Sequence, residues 1–440
     1  MTKAELKKRV CEAIDKRAEE IIAVGDFMFK NPELGYKEHK AAALVEEKFK
    51  ALGLNYRKGL ALTGLKARLP GRQSKLSVAV MGEMDAVVCH DHPNADPTTG
   101  AAHSCGHNAQ TAMMLGAAFG LVDSGVMNEL DGDVVFFALP AEEFVELDYR
   151  QKLRREGKIK FLGGKQELIA LGEFDDIDVA MMCHSASETP ERVMLIPEPG
   201  VGSNGFIGKA IKYVGKEAHA GGAPHQGVNA LNAAMLGLMG IHANRETFKD
   251  ADAIRVHPII TKGGDLVNIV PADVTIETYV RGRSIDAIMD ASQKVNRALE
   301  AGAMAVGAEV IIDEIPGYLP LFNDEKMTKL FAENCAELLG DEGVKVGKPM
   351  GGSTDMGDIT HIMPGIHPQV GGVAGRAHAR DYMIVDPDMA YVVPAKAMAM
   401  TVIDLLFDDA ALGRQIKEEF KPIMTKEEYL AMWDELIQGK

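Results

Sequence analysis

His103-Ser104-Cys105-Gly106-His107-Asn108, followed by the mostly apolar run from Ala112 to Val122, is the stretch on which the reading of this sequence turns. Thr111-Ala-Met-Met-Leu-Gly-Ala-Ala118 has the composition of a buried helix, which places Cys105 and His107 at its entrance. Gly106 between them permits backbone conformations that other residues resist, so thiol and imidazole can converge on one point. A thiolate and an imidazole about 2.0–2.3 Å from an ion suit zinc or a related divalent metal. The same residues also fit a buried free cysteine beside a helix-capping histidine, and alone they do not decide between the two.

The flanking segments do. Residues 76–82 read as a buried strand ending in Glu83-Met84-Asp85-Ala86. Residues 133–139 read as another, delivering Pro140-Ala141-Glu142-Glu143, and residues 178–183 as a third, delivering His184. Three successive strand ends thus supply an acid, an acid pair and an imidazole, a repetition that packing does not explain. Open α/β sheets collect their chemistry at the carboxyl edge of their strands. The predicted fold class is therefore α/β, an open, mostly parallel twisted sheet. Helices are predicted over 4–23, 37–53 and 327–339, a further strand over 62–69, and helical structure over 386–407 and in the charged tail to 440.

From about residue 201 the texture changes. Strands over 206–213, 254–260, 274–280 and 309–315, with helices over 229–243 and 285–305, give the order β-α-β-β-α-β of a small ferredoxin-like α+β sandwich. Site-like sequence resumes afterwards in Met350-Gly-Gly-Ser-Thr-Asp355-Met-Gly-Asp358 and in Gly371-Gly-Val-Ala-Gly-Arg-Ala-His378. The predicted organisation is a first domain of 1–200 with 317–440, interrupted by an inserted domain of 201–316.

A chain of 440 residues exceeds one ordinary core, in keeping with two domains. Its net charge of −16 argues against a nucleic-acid or acidic-membrane partner. Five scattered cysteines do not describe a disulfide framework and fit a reducing cytoplasm. The N-terminal residues show no apolar signal core, and no run of about 18 apolar residues suggests a membrane span.

The ligand set assembled from these motifs is Cys105, His107, Glu143, His184 and His378. Five donors exceed the three that one catalytic zinc usually takes and suit a pair of ions. Glu142 beside them is the candidate general base, provided a kink near Pro140 brings both adjacent carboxylates to one side. Magnitudes favour a metal route. Binding to a divalent ion brings water from a pKa of about 15.7 to about 7, which removes on the order of 11–12 kcal/mol from its deprotonation. A Cys105 nucleophile activated by His107 is the competing assignment, but it leaves the glutamate pair and two histidines unused. His90-Asp91-His92 is a possible rival metal site, read in preference as a polar loop with exposed imidazoles. The markedly basic stretch 146–160 is read as a solvated surface helix in preference to a flap attracting an anionic substrate.

These motifs resemble the M20 metallopeptidase family, specifically its aminoacylase/amidohydrolase branch. Gly82-Glu-Met-Asp85-Ala, Ser104-Cys105-Gly106-His107-Asn108 and Pro140-Ala-Glu-Glu143 carry the resemblance in the first domain, although Asn108 stands where much of the branch has Asp. Glu217-Ala-His219-Ala, Asn268-Ile-Val-Pro271 and Arg281 carry it in the inserted domain. Gly352-Ser-Thr-Asp355-Met-Gly357 with Pro364-Gly-Ile-His-Pro368 is closest to the subgroup of aminobenzoyl-glutamate hydrolase and β-alanyl-lysine dipeptidase-like proteins. The resemblance implies two Zn²⁺ or Mn²⁺ ions per chain and an inserted lid domain that mediates homodimerisation. It also implies that His219 reaches the partner subunit's active site and stabilises an oxyanion there, that Asn268 and Arg281 hold a substrate carboxylate with Ser353 and Thr354 beside them, and that Asp85 orients a ligand. The expected activity is metal-dependent hydrolysis of an N-acyl or aminoacyl amide in a small carboxylate-bearing substrate, an N-acyl amino acid or a dipeptide. An aminopeptidase acting on free dipeptides, or a non-catalytic dimeric binding protein, is the alternative.

Overall fold

The computed structural model describes residues 1–198 and 200–438, with Val201 described as backbone alone. Ser77–Glu83 and Asp133–Leu139 are almost wholly apolar and buried on both faces, as strands inside a parallel sheet are. They pair in parallel, from Ser77 opposite Asp133 to Glu83 opposite Leu139. Val179–Met181 joins Ser77–Glu83 on its other side, and Gly365–Ile366 follows, both in parallel. Gly64–Leu69 and Asn55–Leu60 complete the six-stranded sheet as an antiparallel hairpin. The four parallel strands therefore end along one edge, where Asp85, the Glu142-Glu143 pair, His184 and His367 follow them.

Asn55–Leu60 is a strand that the hydrophobic pattern misses. Its Asn-Tyr-Arg-Lys-Gly-Leu is mostly exposed along the sheet edge, so no apolar alternation marks it. Leu62, expected as the first residue of a strand, instead makes the hairpin turn together with Ala61, at φ 74° and 44°. The helix expected over 4–23 is two helices, Lys3–Lys16 and Ala18–Lys30, broken where Arg17 leaves helical geometry at φ −105° and ψ 6°. The tail is helical over Lys426–Gln438; residues 439 and 440 lie outside the described residues.

His107–Ser124 is the central helix, buried at every residue except Val122 and Asp123. It packs against Lys3–Lys16, Ala18–Lys30 and Val393–Glu419. Gly116 lets it approach closely: a Cβ there would lie 2.8 Å from Ala395 Cβ and 3.0 Å from Ile21 Cδ1. Asp388–Glu419 is, by length and composition alone, apolar enough over an 18-residue window to cross a membrane, although the sequence reading found no such run. That window is 89% buried inside the protein, as in a core helix, and it tolerates Lys396 and Asp404 because both are ion-paired.

The chain divides into two compact units. The first comprises Met1–Gly202, Phe322–Pro349 and Asp358–Thr425, and the second Ser203–Leu321, Met350–Gly357 and the residues from Lys426 on. The second unit is an antiparallel sheet in the order Arg255–Val256, Asp273–Gly282, Gly205–Val214, Glu309–Ile315, with Ile259–Lys262 also on Asp273–Gly282. Ala230–Ala243 and Ile285–Val306 pack against it. Two segments expected in the first domain group with this unit. Asn204 N donates to Gly352 O at 3.0 Å, tying in the 350–357 loop. Lys426–Gln438 buries Tyr429, Trp433 and Leu436 and packs along Glu309–Ile315.

Gly116→Val overpacks the central helix interface. The expected outcome is a loss of about 1–3 kcal/mol, measured as a lower denaturant midpoint with an unchanged slope.

Candidate metal centre

Gly106 enters the helix His107–Ser124 in the left-handed region, at φ 86°. A side chain there would also run into Ser185 Oγ and Tyr382 Oη, so glycine is required on two counts. Ser185 and Tyr382 hydrogen-bond to each other at 2.7 Å, and Ser185 Oγ donates to Cys105 O at 3.3 Å. This scaffold fixes the backbone of Cys105. Its Sγ lies 3.5 Å from His184 Nε2 and 3.3 Å from His378 Nε2. Glu143 Oε1 lies 3.1 Å from the same His378 nitrogen. His378 is itself left-handed, at φ 59°, and is anchored by its amide to Ser104 O at 2.8 Å.

Two groups of donors result, Cys105/His107/His184 and Cys105/Glu143/His378, each with its donor atoms within 4.8 Å of one another. Cys105 belongs to both. A third group, Glu83/His107/Glu142, is wholly buried. There Glu83 already has partners: Lys165 pairs with Oε1, and Gln110 Nε2 donates to Oε2 at 2.6 Å. Burial opposes the Glu83 charge, but Lys165 and His107 outweigh it and hold the carboxyl far below its usual range.

Asp85 braces the cluster from behind. His107 Nδ1–H is directed at Asp85 O, 2.9 Å, and at Asp85 Oδ1, 3.1 Å, which leaves Nε2 for the donor pocket. Asp85 Oδ2 accepts from Glu143 N at 2.9 Å. His184 Nδ1–H donates to Ser185 O at 2.7 Å, which turns its Nε2 toward Cys105. Ala141, at φ 55°, makes the kink that the sequence places near Pro140. Both carboxylates consequently reach the donors, with Glu142 Oε2 3.9 Å from His107 Nε2.

The electrostatics of the pocket suit a cation. Burial and the Glu143 charge push the Cys105 thiol up, yet His184 and His107 bring it down to about 6. Glu143, despite burial, is held down to about 2 by His378 and His107. Cys105 and Glu143 in turn push His378 up to about 11. Among the described residues, buried His107 Nε2 and Glu143 Oε1 have no hydrogen-bond partner. Their approaches to Glu83 and His378, both 3.1 Å, are close without the direction of hydrogen bonds. Orphaned buried atoms need an explanation, and a shared thiolate with imidazoles and a carboxylate fits one or two divalent transition-metal ions.

Among the described residues His90-Asp91-His92 belongs to no group of converging donors; His90 is exposed as expected, but His92 is not. His92 is 4% exposed; its Nε2–H donates to Tyr382 O at 2.9 Å and its Nδ1 accepts from Asn94 N at 3.1 Å, which uses both nitrogens. Asn108, which replaces an acid in the resemblance, is structural: its Nδ2 donates to Gly25 O at 3.3 Å and Tyr391 Oη at 3.1 Å.

The remaining candidates lie in the second unit. Exposed His219 accepts from Gly221 N at 3.2 Å and Gly222 N at 2.9 Å through Nδ1, which leaves Nε2 as the ring's donor. Asn268 is exposed, and its carbonyl accepts from Ala220 N at 2.9 Å, which holds the His219 and Asn268 segments together. Arg281 lies over the Phe206 and Tyr279 rings at 5.2 and 5.3 Å and donates to Ser353 Oγ at 2.8 Å. Thr354 is buried, and its Oγ1 accepts from Met356 N at 3.2 Å, which fixes the loop.

Sequence reasoning missed several members of the first-unit site. Lys165, fully buried against Glu83, follows two glycines with no spacing relation to the strand ends. His367, edge-on to His184 at 5.6 Å, is pushed down to about 3 by burial and that neighbour, and so is a neutral donor to Met182 O at 3.2 Å. Its signal was present in its position after a short parallel strand.

Residues 79–400 match the sequence profile of Peptidase family M20/M25/M40. An Xaa-Arg dipeptidase of Mus musculus is 30% identical over 97% of this chain and 94% of that protein. An N-acyl-L-amino acid amidohydrolase of Geobacillus stearothermophilus is 26% identical over 73% of this chain and 82% of its own. Among solved structures, a dinuclear metal-binding peptidase from Bacillus subtilis superposes with TM-score 0.68 at 20% identity, covering 89% of this chain and 99% of that one. An aminobenzoyl-glutamate utilization protein from Klebsiella pneumoniae gives 0.68 at 18% identity, covering 89% and 97%. These structures share the fold. With the profile spanning most of its length and a relative 30% identical from end to end, this chain belongs to peptidase family M20/M25/M40.

Proposed function

We propose that this hydrolase of amide or peptide bonds is a dinuclear metal-dependent amidohydrolase, acting on an N-acyl or aminoacyl amide beside a carboxylate. The observation that carries the reading is the sharing of Cys105 between two donor groups with Glu142 alongside. Cys105, His107 and His184 would hold one ion and Cys105, Glu143 and His378 the other, Zn²⁺ or Mn²⁺. When bound, such a pair supplies Lewis-acid polarisation of the carbonyl and a lowered pKa for water.

The chain's own groups do the rest. Glu142 accepts the proton of the attacking water and returns it to the leaving amine. Asp85 keeps His107 in the tautomer that presents Nε2, and holds the Glu143 backbone. His219, through Nε2, would reach the partner subunit's site in the homodimer and donate to the developing oxyanion there. The Arg281 guanidinium, stacked and fixed by Ser353, takes the substrate carboxylate in company with Asn268. The dipeptide reading has its own support in the end-to-end likeness to an Xaa-Arg dipeptidase. Homodimerisation belongs to the same reading. Met235, Leu236 and Met239 on one helix of the second unit, with Ile259, Ile260 and Val267, expose an apolar surface of the kind that marks an interface. The scattered, unpaired cysteines support a cytoplasmic setting.

The reading is tested on protein purified without chelator, assayed for metal content and against paired N-acetyl amino acids and free dipeptides. The expected result is two divalent ions per chain, with cleavage that chelator abolishes and Mn²⁺ or Zn²⁺ restores. No metal and no cleavage after add-back would leave a binding protein. Glu142→Gln is expected to keep both ions and to lose about 10²–10⁴-fold in turnover; a near-parent rate overturns its role as base. Cys105→Ala is expected to lose both ions, because each group includes it; full occupancy by elemental analysis shows that it is not a ligand. Met239→Glu is expected to shift the protein from dimer to monomer by light scattering.

A further inference from the structure

The basic segment after Glu143 does not lie free on the surface. Within Leu147–Arg155, Arg150 points inward and is fully buried. Its Nη1 donates to Leu162 O at 2.8 Å and to Ala141 O at 3.4 Å. Ala141 is the left-handed residue between the strand and Glu142, and its carbonyl also accepts from Gly164 N at 3.0 Å. The amide on its other side donates to Glu38 Oε1 at 2.8 Å. Thr63 Oγ1 donates to the second Glu38 oxygen at 2.6 Å, which fixes that carboxyl. Both polar groups of Ala141 are therefore held by buried side chains, one nine residues on and the other 103 residues back.

The Gly35–Glu38 stretch is the other jaw. A Cβ on Gly35 would lie 2.9 Å from Ala141 Cα and would also strike Arg150, so only glycine admits both. The Tyr36 ring lies 5.4 Å from the Arg150 guanidinium, and its hydroxyl donates to Phe161 O at 3.0 Å. Lys37 Nζ pairs with Glu146 at 2.8 Å and sits 4.0 Å over the Tyr149 ring. Tyr36, Ala141 and Glu146 are all left-handed, at φ 63°, 55° and 52°. L-residues avoid that conformation unless their surroundings impose it, and such residues concentrate at functional sites.

We propose that Glu38 and Arg150 are positioning residues that clamp the Ala141 turn, and that the basic segment exists to deliver Arg150 to it, so that the Glu142 carboxylate is held at its working place. This rests on the reading of Glu142 as the base. Released at either end, Ala141 relaxes toward ordinary φ and the carboxylate swings from its position, and displacements of about 1 Å cost on the order of 10²-fold in rate.

Glu38→Ala, Glu38→Gln, Arg150→Ala and the milder Thr63→Val are compared in two ways. Hydrogen exchange at the Ala141 amide, read by mass spectrometry on short peptides spanning it, requires neither turnover nor metal. Faster exchange in Glu38→Ala and Thr63→Val, with protection elsewhere retained and parent-like exchange in Glu38→Gln, supports the clamp; unchanged exchange overturns it. The second readout is kcat and KM on a cleaved substrate, in the parent and in a Glu142→Asp background. The expected result is a fall in kcat of about 10–100-fold at constant KM, largely recovered in Glu38→Gln and nearly absent in the Glu142→Asp background. Equal losses in both backgrounds would mean a merely structural role and overturn the proposal. A Glu142→Gln variant that keeps its rate would remove the base assignment alone and leave the exchange result to judge the clamp.

Discussion

Asp85 is the carboxylate on which the site depends. It follows the strand Ser77–Glu83 and is fully buried, with Oδ1 facing His107 and Oδ2 accepting the Glu143 amide. Glu143 follows the neighbouring strand, so one side chain staples two strand ends while it orients two donors. A buried carboxylate costs several kcal/mol unless its oxygens are satisfied. The partners of Asp85 are therefore required by the fold as much as by the chemistry. Glu83, two residues earlier, repeats the arrangement with Lys165 and Gln110. The carboxyl edge of the sheet is thus an alternation of anions with the groups that neutralise them, interrupted where Cys105, His107 and Glu143 converge.

That interruption explains the charge balance of the pocket. Cys105 and Glu143 both favour their ionised forms although burial opposes each, and His378 is raised far above an ordinary imidazole by the same two groups. His107, His184 and His378, all raised above an ordinary imidazole, are the charges that the protein alone can bring to them. A divalent ion also reaches His107 Nε2 and Glu143 Oε1, unpartnered among the described residues, which a proton on His378 leaves unmet. The helix His107–Ser124 has no acidic residue in its first turn to compete for the ion.

What the sequence disclosed follows from which residues obey a local rule. The parallel strands are long apolar runs with acids or histidines at their ends, so Asp85, Glu142, Glu143 and His184 were visible together with the fold. Cys105 and His107 were visible because glycine separates them. The ferredoxin-like order of the second unit was visible because its long strands and helices keep their periods, as in the alternating burial along Asp273–Gly282. The edge strand Asn55–Leu60 was not, since exposure on an edge removes the alternation that identifies a strand. Nor were Lys165, Glu38 and Arg150. A buried charged residue is recognisable only through its partner, and these partners lie 82, 103 and 9 residues away. The basic segment shows the limit most clearly. Its composition describes Lys152, Arg154 and Arg155 well, as the exposed or half-exposed face of a helix, and misdescribes Arg150 two positions earlier.

The two halves of the chemistry also differ in how the fold holds them. The donors sit where the backbone has no freedom: strand ends in a parallel sheet, a left-handed glycine, a carboxylate staple. The substrate-facing candidates sit on a turn at His219, an exposed loop at Asn268, a strand terminus at Arg281 and the 350–357 loop. Relatives named for dipeptides and for N-acyl amino acids share one family with this chain, so a difference in substrate has to arise outside the rigid donor set. The exposed segments at His219 and Asn268 are the positions freest to supply it, because neither holds a buried charge, whereas the 350–357 loop carries the buried Asp355. Ala141 lies between these regimes. It belongs to the rigid edge by sequence, but its amide and its carbonyl are held by Glu38 and by Arg150, a residue of the basic segment. On the proposed reading of Glu142 as the base, a clamp that holds it from outside the sheet lets the basic segment vary without altering Cys105, His107, Glu143, His184 or His378.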